Sequence, residues 1–184
     1  MLNHKKLEKI NLKQKFIEDF NNAFKKTIIE KQSTEFVFLC VGTDKIIGDS
    51  FGPLVGSKLI ELLEKYNFSN INVYGSLENN LNYESINKVV KNINEKSTII
   101  VIDAALSKKE NIGQIFVSNK KTVLGKGLDK NKIQIGDISI KSVVAKDYKM
   151  PKYNFNALQN ISLSVVMTLA NIVAEGIYEV IECY

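Results

Sequence analysis

The sequence predicts an α/β protein: a three-layer α/β/α sandwich with a largely parallel central sheet, preceded by an N-terminal amphipathic helix. Three observations carry this. Phe36-Val37-Phe38-Leu39-Cys40-Val41 is a continuous apolar run rich in β-branched and aromatic residues, the pattern of a strand buried on both faces. Ser97-Thr98-Ile99-Ile100-Val101-Ile102 repeats it and ends at an acid, Asp103. Between the two, Gly52-Pro53 opens a helical segment whose apolar side is Leu54, Val55, Leu59, Ile60, Leu62 and Leu63. Pro53 fits its first turn, where no backbone N–H is needed.

Taken in order, residues 1 to about 34 read as one helix, with Leu7, Ile10, Ile17, Phe20, Phe24 and Ile28 recurring every three to four positions. Eight lysines against four acids cover its other side. Such a helix packs on the domain's sheet, or else serves as a dimer or membrane-surface helix. After the helix ending near Asn67, Ile71-Asn72-Val73-Tyr74 is a short strand. Gly75 to Asn82 is a loop, and Tyr83 to Asn94 a helix with Ile86, Val89, Val90 and Ile93 inward. Gly113 to Ser118 reads as a strand, Asn119 to Asn131 as a loop, and Ile133 to Val144 as a strand around Gly136. One long final helix is expected from about Phe155 to Glu182. Residues 35–184 are thus expected to form one domain, with 1–34 packed on it or extending it.

The 184 residues suffice for one full core, and 45% apolar with 24% charged residues is the balance of an ordinary soluble globular protein. No apolar run approaches the roughly 20 residues that span a bilayer, and the N-terminus has no signal-peptide core. A cytoplasmic location follows as the expectation. Cys40 and Cys183 make neither a disulfide framework nor a metal cluster. The net charge is +5, yet all 25 basic residues are lysine. Without arginine there is no planar fork to read guanine or clamp phosphate, so no nucleic-acid partner is expected. The lysine excess, with abundant asparagine, has the look of an AT-rich coding genome.

Asp49 falls between a strand's carboxyl end and a helix amino terminus, the crevice where ligands collect in open α/β sheets. Taken alone it is equally a turn or cap residue. Asp103 ends an apolar strand with a charge that must find a partner or stay solvated. The two strand ends should lie side by side, with the carboxyl groups within about 8 Å. Acids so placed titrate as a coupled pair and can act as acid and base toward a water attacking a carbonyl. They can equally hold a divalent metal. No histidine accompanies Ser50 or Cys40 in any motif, which disfavours a serine or cysteine nucleophile.

The segments VGTDKIIGDSFGPLVGSKL, VIDAAL, IGDISIKSVV and LQNISLSVVMTLANIVA resemble the sporulation protein YyaC family of spore-forming Firmicutes, over about residues 34 to 176. That family is similar to the spore germination protease and, more remotely, to the hydrogenase maturation proteases. In the germination protease two aspartates in matching contexts are thought to catalyse peptide hydrolysis; here these contexts hold Asp49, before Ser50-Phe51-Gly52-Pro53, and Asp103. The resemblance adds Asp137, together with Lys126 and Lys130 in a loop like the protease's glycine-rich active-site loop, as substrate-binding or supporting positions; Ser50 and Gly52 beside Asp49, and Asp44 in the Gly42 loop, where it can equally cap a turn, complete the set. In the maturation proteases the two acids bind nickel together with a histidine; here the only histidine is His4. No cofactor is expected.

These readings converge on a spore-associated endopeptidase of the mother cell or forespore, with Asp49 and Asp103 as the catalytic pair and a protein or peptide as substrate. Two alternatives stand beside it. One is a non-catalytic binding or processing protein on a peptidase-like fold; the other is a metal-dependent hydrolase using Asp49, Asp103 and Asp137. A homo-oligomer is compatible with all three.

Overall fold

Strand β1 (Phe36–Cys40) is buried at every position, as an uninterrupted apolar run requires when both sheet faces are covered. The structure is a computed structural model and describes residues 2–65, 68–82, 85–124 and 133–184. In chain order the elements are α1 (Leu2–Lys31), β1, a 3-10 turn (Gly48–Ser50), α2 (Phe51–Leu63), β2 (Ile71–Tyr74), α3 (Ile86–Val90), β3 (Thr98–Ser107), β4 (Ile115–Ser118), β5 (Thr122–Leu124), β6 (Ile133–Ile135), β7 (Ile138–Lys146), α4 (Pro151–Gln159) and α5 (Leu163–Ile181).

The main sheet has the order β2-β1-β3-β7-β4. Its first four strands are parallel, and β4 closes one edge antiparallel to β7. Alternate side chains divide the core, as the period of two along a strand dictates. Phe38, Cys40, Ile100, Ile102 and Ile140 face α1, α2 and α5. Val37, Leu39, Val41 and Val101 face Leu81 and Ile86 on the other side. The three expected layers are present, with α3 a thin outer one.

Helix α1 meets the rest of the protein later than its periodicity predicts. Leu7 and Ile10, expected inward, are 59% and 46% exposed, while Phe16, Phe20 and Phe24 are buried. The first described packing comes at Leu12 and Lys13, whose Nζ reaches Glu175 at 2.8 Å and Glu179 at 2.7 Å on α5. From there the two helices run side by side in the same direction. Phe16 stacks on Phe20 (5.9 Å between ring centroids), Phe20 on Phe24 (5.3 Å), and Phe24 meets Phe36 (4.9 Å) and Tyr184 (5.3 Å). A methyl at Gly176 would run into the Phe16 ring, so the glycine sets how closely the helices approach. By length and composition α5 is apolar enough to cross a membrane, which the count of uninterrupted apolar residues had missed; in this fold 56% of it is buried.

Five elements differ from expectation. β3 does not end at Asp103 but runs on to Ser107, because β7 pairs alongside it as far as Lys146. The stretch 133–144 is two strands, broken where Gly136 takes φ +94° and Asp137 N–H donates to the Ile99 carbonyl at 2.8 Å. The expected final helix is also two. Pro151 begins α4 in the position proline favours, and Ser162, extended at ψ 123°, separates it from α5. The helix expected over 83–94 is described only as Ile86–Val90, and within the loop expected over 119–131 Thr122–Leu124 pairs with Ile133–Ile135.

Candidate active site

The carboxyl end of β1 is gripped by backbone that only glycine permits. Gly42 takes φ +146°, and a Cβ there would strike the Asp49 carbonyl; a Cβ on Gly52 would strike the Val41 backbone. Thr43 N–H donates to the Asp49 carbonyl at 3.2 Å, and Val41 N–H to Ile102 of β3 at 2.8 Å. The 3-10 turn carrying Asp49 is therefore folded back onto the strand end, with α2 starting at its next turn. Ser50 is buried, and its Oγ donates to the Ile47 carbonyl at 2.7 Å, so it closes the turn. Asp44 is exposed and accepts from Asn80 Nδ2 at 2.5 Å. On its outer side the turn rests on α4, where Gly48 leaves room for Leu158.

Asp103 lies on the adjacent strand, on the sheet face opposite Ile102, half-buried like Asp49. Burial pushes its carboxyl from the ordinary 3.8 up to about 7; the Lys141 ammonium opposes that rise, the Asp49 charge adds to it, and the Ala104 backbone N–H opposes it. Burial likewise raises the Asp49 carboxyl, with the Thr43 backbone N–H pulling the other way. The turn and β3 thus bring the two acids close enough for the charge on Asp49 to be felt at Asp103. A carboxyl that gains and loses a proton near neutrality beside a second carboxyl is chemically suited to proton transfer.

The remaining candidates disperse. Asp137 lies at the start of β7, four residues before the level of Asp103 and thus about 13 Å along the strand. There it accepts from Lys31 Nζ and from the Ile99 N–H, both at 2.8 Å, and ties the end of α1 to the sheet. Asp137→Ala is expected to lower stability by about 1–3 kcal/mol, read from urea denaturation, and to leave any peptide cleavage unchanged. Lys126 and Lys130 lie outside the described residues. His4 belongs to the first turns of α1, and among the described residues no three His, Cys, Asp or Glu side chains gather to hold an ion. The donor set does not fit a nickel centre of the two-acids-and-histidine kind. The hollows lined by Ile60, Leu63 and Val73, and by Thr27, Lys31 and Asp137, lie away from the acid pair.

One neighbour of the pair escaped the sequence reading. Lys141 stands directly opposite Asp103 in the β3–β7 register. Its signal was available, a single charge inside the run Ile138-Ser139-Ile140-Lys141-Ser142-Val143-Val144, the same anomaly that marks Asp103 in its own strand.

Fold and topology define the chain as a protein of peptidase-like α/β/α fold. A hydrogenase maturation protease, HycI from Thermococcus kodakarensis KOD1, superposes with a TM-score of 0.54 at 17% identity, over 81% of this chain and 93% of that one. The chain belongs to the family described as "Protein of unknown function (DUF1256)", whose model matches residues 8–176. It is 32% identical over 145 residues to the uncharacterized protein YyaC of Bacillus subtilis (strain 168), covering 77% of this chain and 67% of that protein. Most of α1, expected to fall outside the shared region, is inside it.

Proposed function

We propose that this protein is a peptidase of a spore-forming bacterium, in which Asp49 and Asp103 work as an acid–base pair on a protein substrate during sporulation or germination. The observation that carries the reading is the pair itself: two recessed carboxyls at the sheet's carboxyl end, one of them pushed up to about 7. The peptidase-like fold and the Bacillus relative support the class and the setting.

In this reading ionised Asp49 accepts a proton from water as the water oxygen bonds to the peptide carbonyl carbon. Protonated Asp103 then gives its proton to the departing amine as the C–N bond breaks. Returning the proton from Asp49 to Asp103 resets the pair. The test is cleavage of a sporulation-stage protein extract by the purified protein, with and without EDTA. Cleavage is expected and should persist in chelator. Loss of cleavage in EDTA with restoration by a divalent ion would identify a metal-dependent hydrolase. No turnover at all, with a partner still captured, would identify a binding module.

A further inference from the structure

We propose that Lys141 is the positioning residue of the acid pair, a cation built into the sheet that faces Asp103 and holds the charge on its carboxylate. The role rests on the reading of Asp49 and Asp103 as the working pair.

The register sets the geometry. Asp103 and Lys141 are directly paired positions on adjacent parallel strands, and paired positions project to the same sheet face. Their neighbours Ile102 and Ile140 point the other way, into the core under α2 and α5. Lysine is an expensive choice here. On its own face of the strand it sits between Ser139 and Val143, 5% and 2% exposed, where a hydrophobic residue would pack without penalty. Among the described residues, no ion pair or side-chain hydrogen bond engages its ammonium. Lys13, Lys31, Lys58 and Lys149, by contrast, each hold a carboxylate within 3 Å. Lys141 therefore acts on Asp103 through its field and keeps its three N–H donors free for water or a substrate oxygen.

Among the described residues, Lys141 is the side chain that opposes the rise at Asp103, with the Ala104 backbone N–H beside it. From the 3-10 turn comes Asp49, of like charge, and from β7 comes Lys141. From β1 the nearest ionisable side chain is Cys40, buried on the opposite face. Asp44, in the loop between β1 and the turn, is held by Asn80. With Lys141 gone, no described side-chain cation would offset the like charge of Asp49, and Asp103 would stay protonated further into the alkaline range.

The experiment follows the side-chain carboxyl carbon of Asp103 by NMR through a pH titration, in the wild type, Lys141→Met, Lys141→Gln and Lys141→Arg. The two neutral variants should move the Asp103 midpoint upward by about one pH unit or more, while Lys141→Arg should titrate close to the wild type. An unmoved midpoint in a folded neutral variant, or an equal shift in Lys141→Arg, would overturn the proposal. Having both methionine and glutamine at this site keeps the test open if one fails to fold. Cleavage is scored separately. A shifted midpoint in a protein that cuts no peptide sinks the peptidase reading and leaves the role of Lys141 standing; an unmoved midpoint in an active peptidase does the reverse.

Discussion

Replacing Asp103 with asparagine is expected to slow peptide cleavage by about 10²–10⁴-fold while making the folded protein more stable at neutral pH. The two effects have one origin. The amide would preserve the shape of the side chain but could not exchange the proton that the proposed mechanism delivers to the leaving amine. The stability effect follows from where that proton sits. In the folded protein Asp103 keeps it until about pH 7, whereas the unfolded chain releases it near 3.8. Its contribution to stability is complete below pH 4 and is lost as pH rises through 7, because deprotonation then favours the unfolded state. The variant has no such proton. The stability difference between Asp103→Asn and wild type should therefore open in the variant's favour across that window. Cleavage rates with urea melts at pH 4, 6 and 8 measure both. Asp49→Asn should lose cleavage to a similar degree. Retained cleavage in Asp103→Asn, or a stability difference independent of pH, would end the assignment of this residue.

Deleting residues 1–31 is expected to unfold the protein rather than leave a trimmed domain. Phe16, Phe20 and Phe24 are 1%, 0% and 0% exposed, and they cover α5 and the edge of β1. Truncating one such phenylalanine to alanine costs about 3–5 kcal/mol, against a total stability of about 5–15 kcal/mol for a typical domain. Phe20→Ala alone should sharply lower the thermal midpoint, and removing all three should abolish the cooperative transition seen by circular dichroism. Leu7→Ala, on the exposed first turns, should change stability by less than about 0.5 kcal/mol. An unchanged melt after deletion would show α1 to be an appendage.

Features written in short-range patterns were legible beforehand. β1 announces itself as an apolar run, and Gly42, Gly52 and Pro53 at fixed offsets place Asp49 at the turn into α2. Features set by a distant partner were not legible. That β3 continues past Asp103 depends on β7, some 35 residues later in the chain, which pairs beside it. Lys141 became a candidate only once that register placed it opposite an acid. Asp137 looked like a site residue because its segment resembles a family motif, but its partners are Lys31 and Ile99, and no local pattern reveals them. At the amino terminus, Leu7 and Ile10 keep the helical period of the buried phenylalanines. Periodicity tells which side of a helix is apolar and is silent on how far along its length a neighbour extends.

The side-by-side course of α1 and α5 also bears on how the chain is made. The ring stack that begins at Phe16 is completed by Tyr184, and Lys13 waits for Glu175 and Glu179. At about 5–20 residues per second, the roughly 140 residues separating the stack from the start of its α5 cover take about 7–30 s to synthesise. Through that interval three phenylalanines on one helical face lack their α5 cover, and the loop that must close around them spans most of the polypeptide. Folding should be slow for a protein of this size. The nascent chain should be a good client for chaperones that bind exposed aromatic segments, with the recognition site in the first thirty residues.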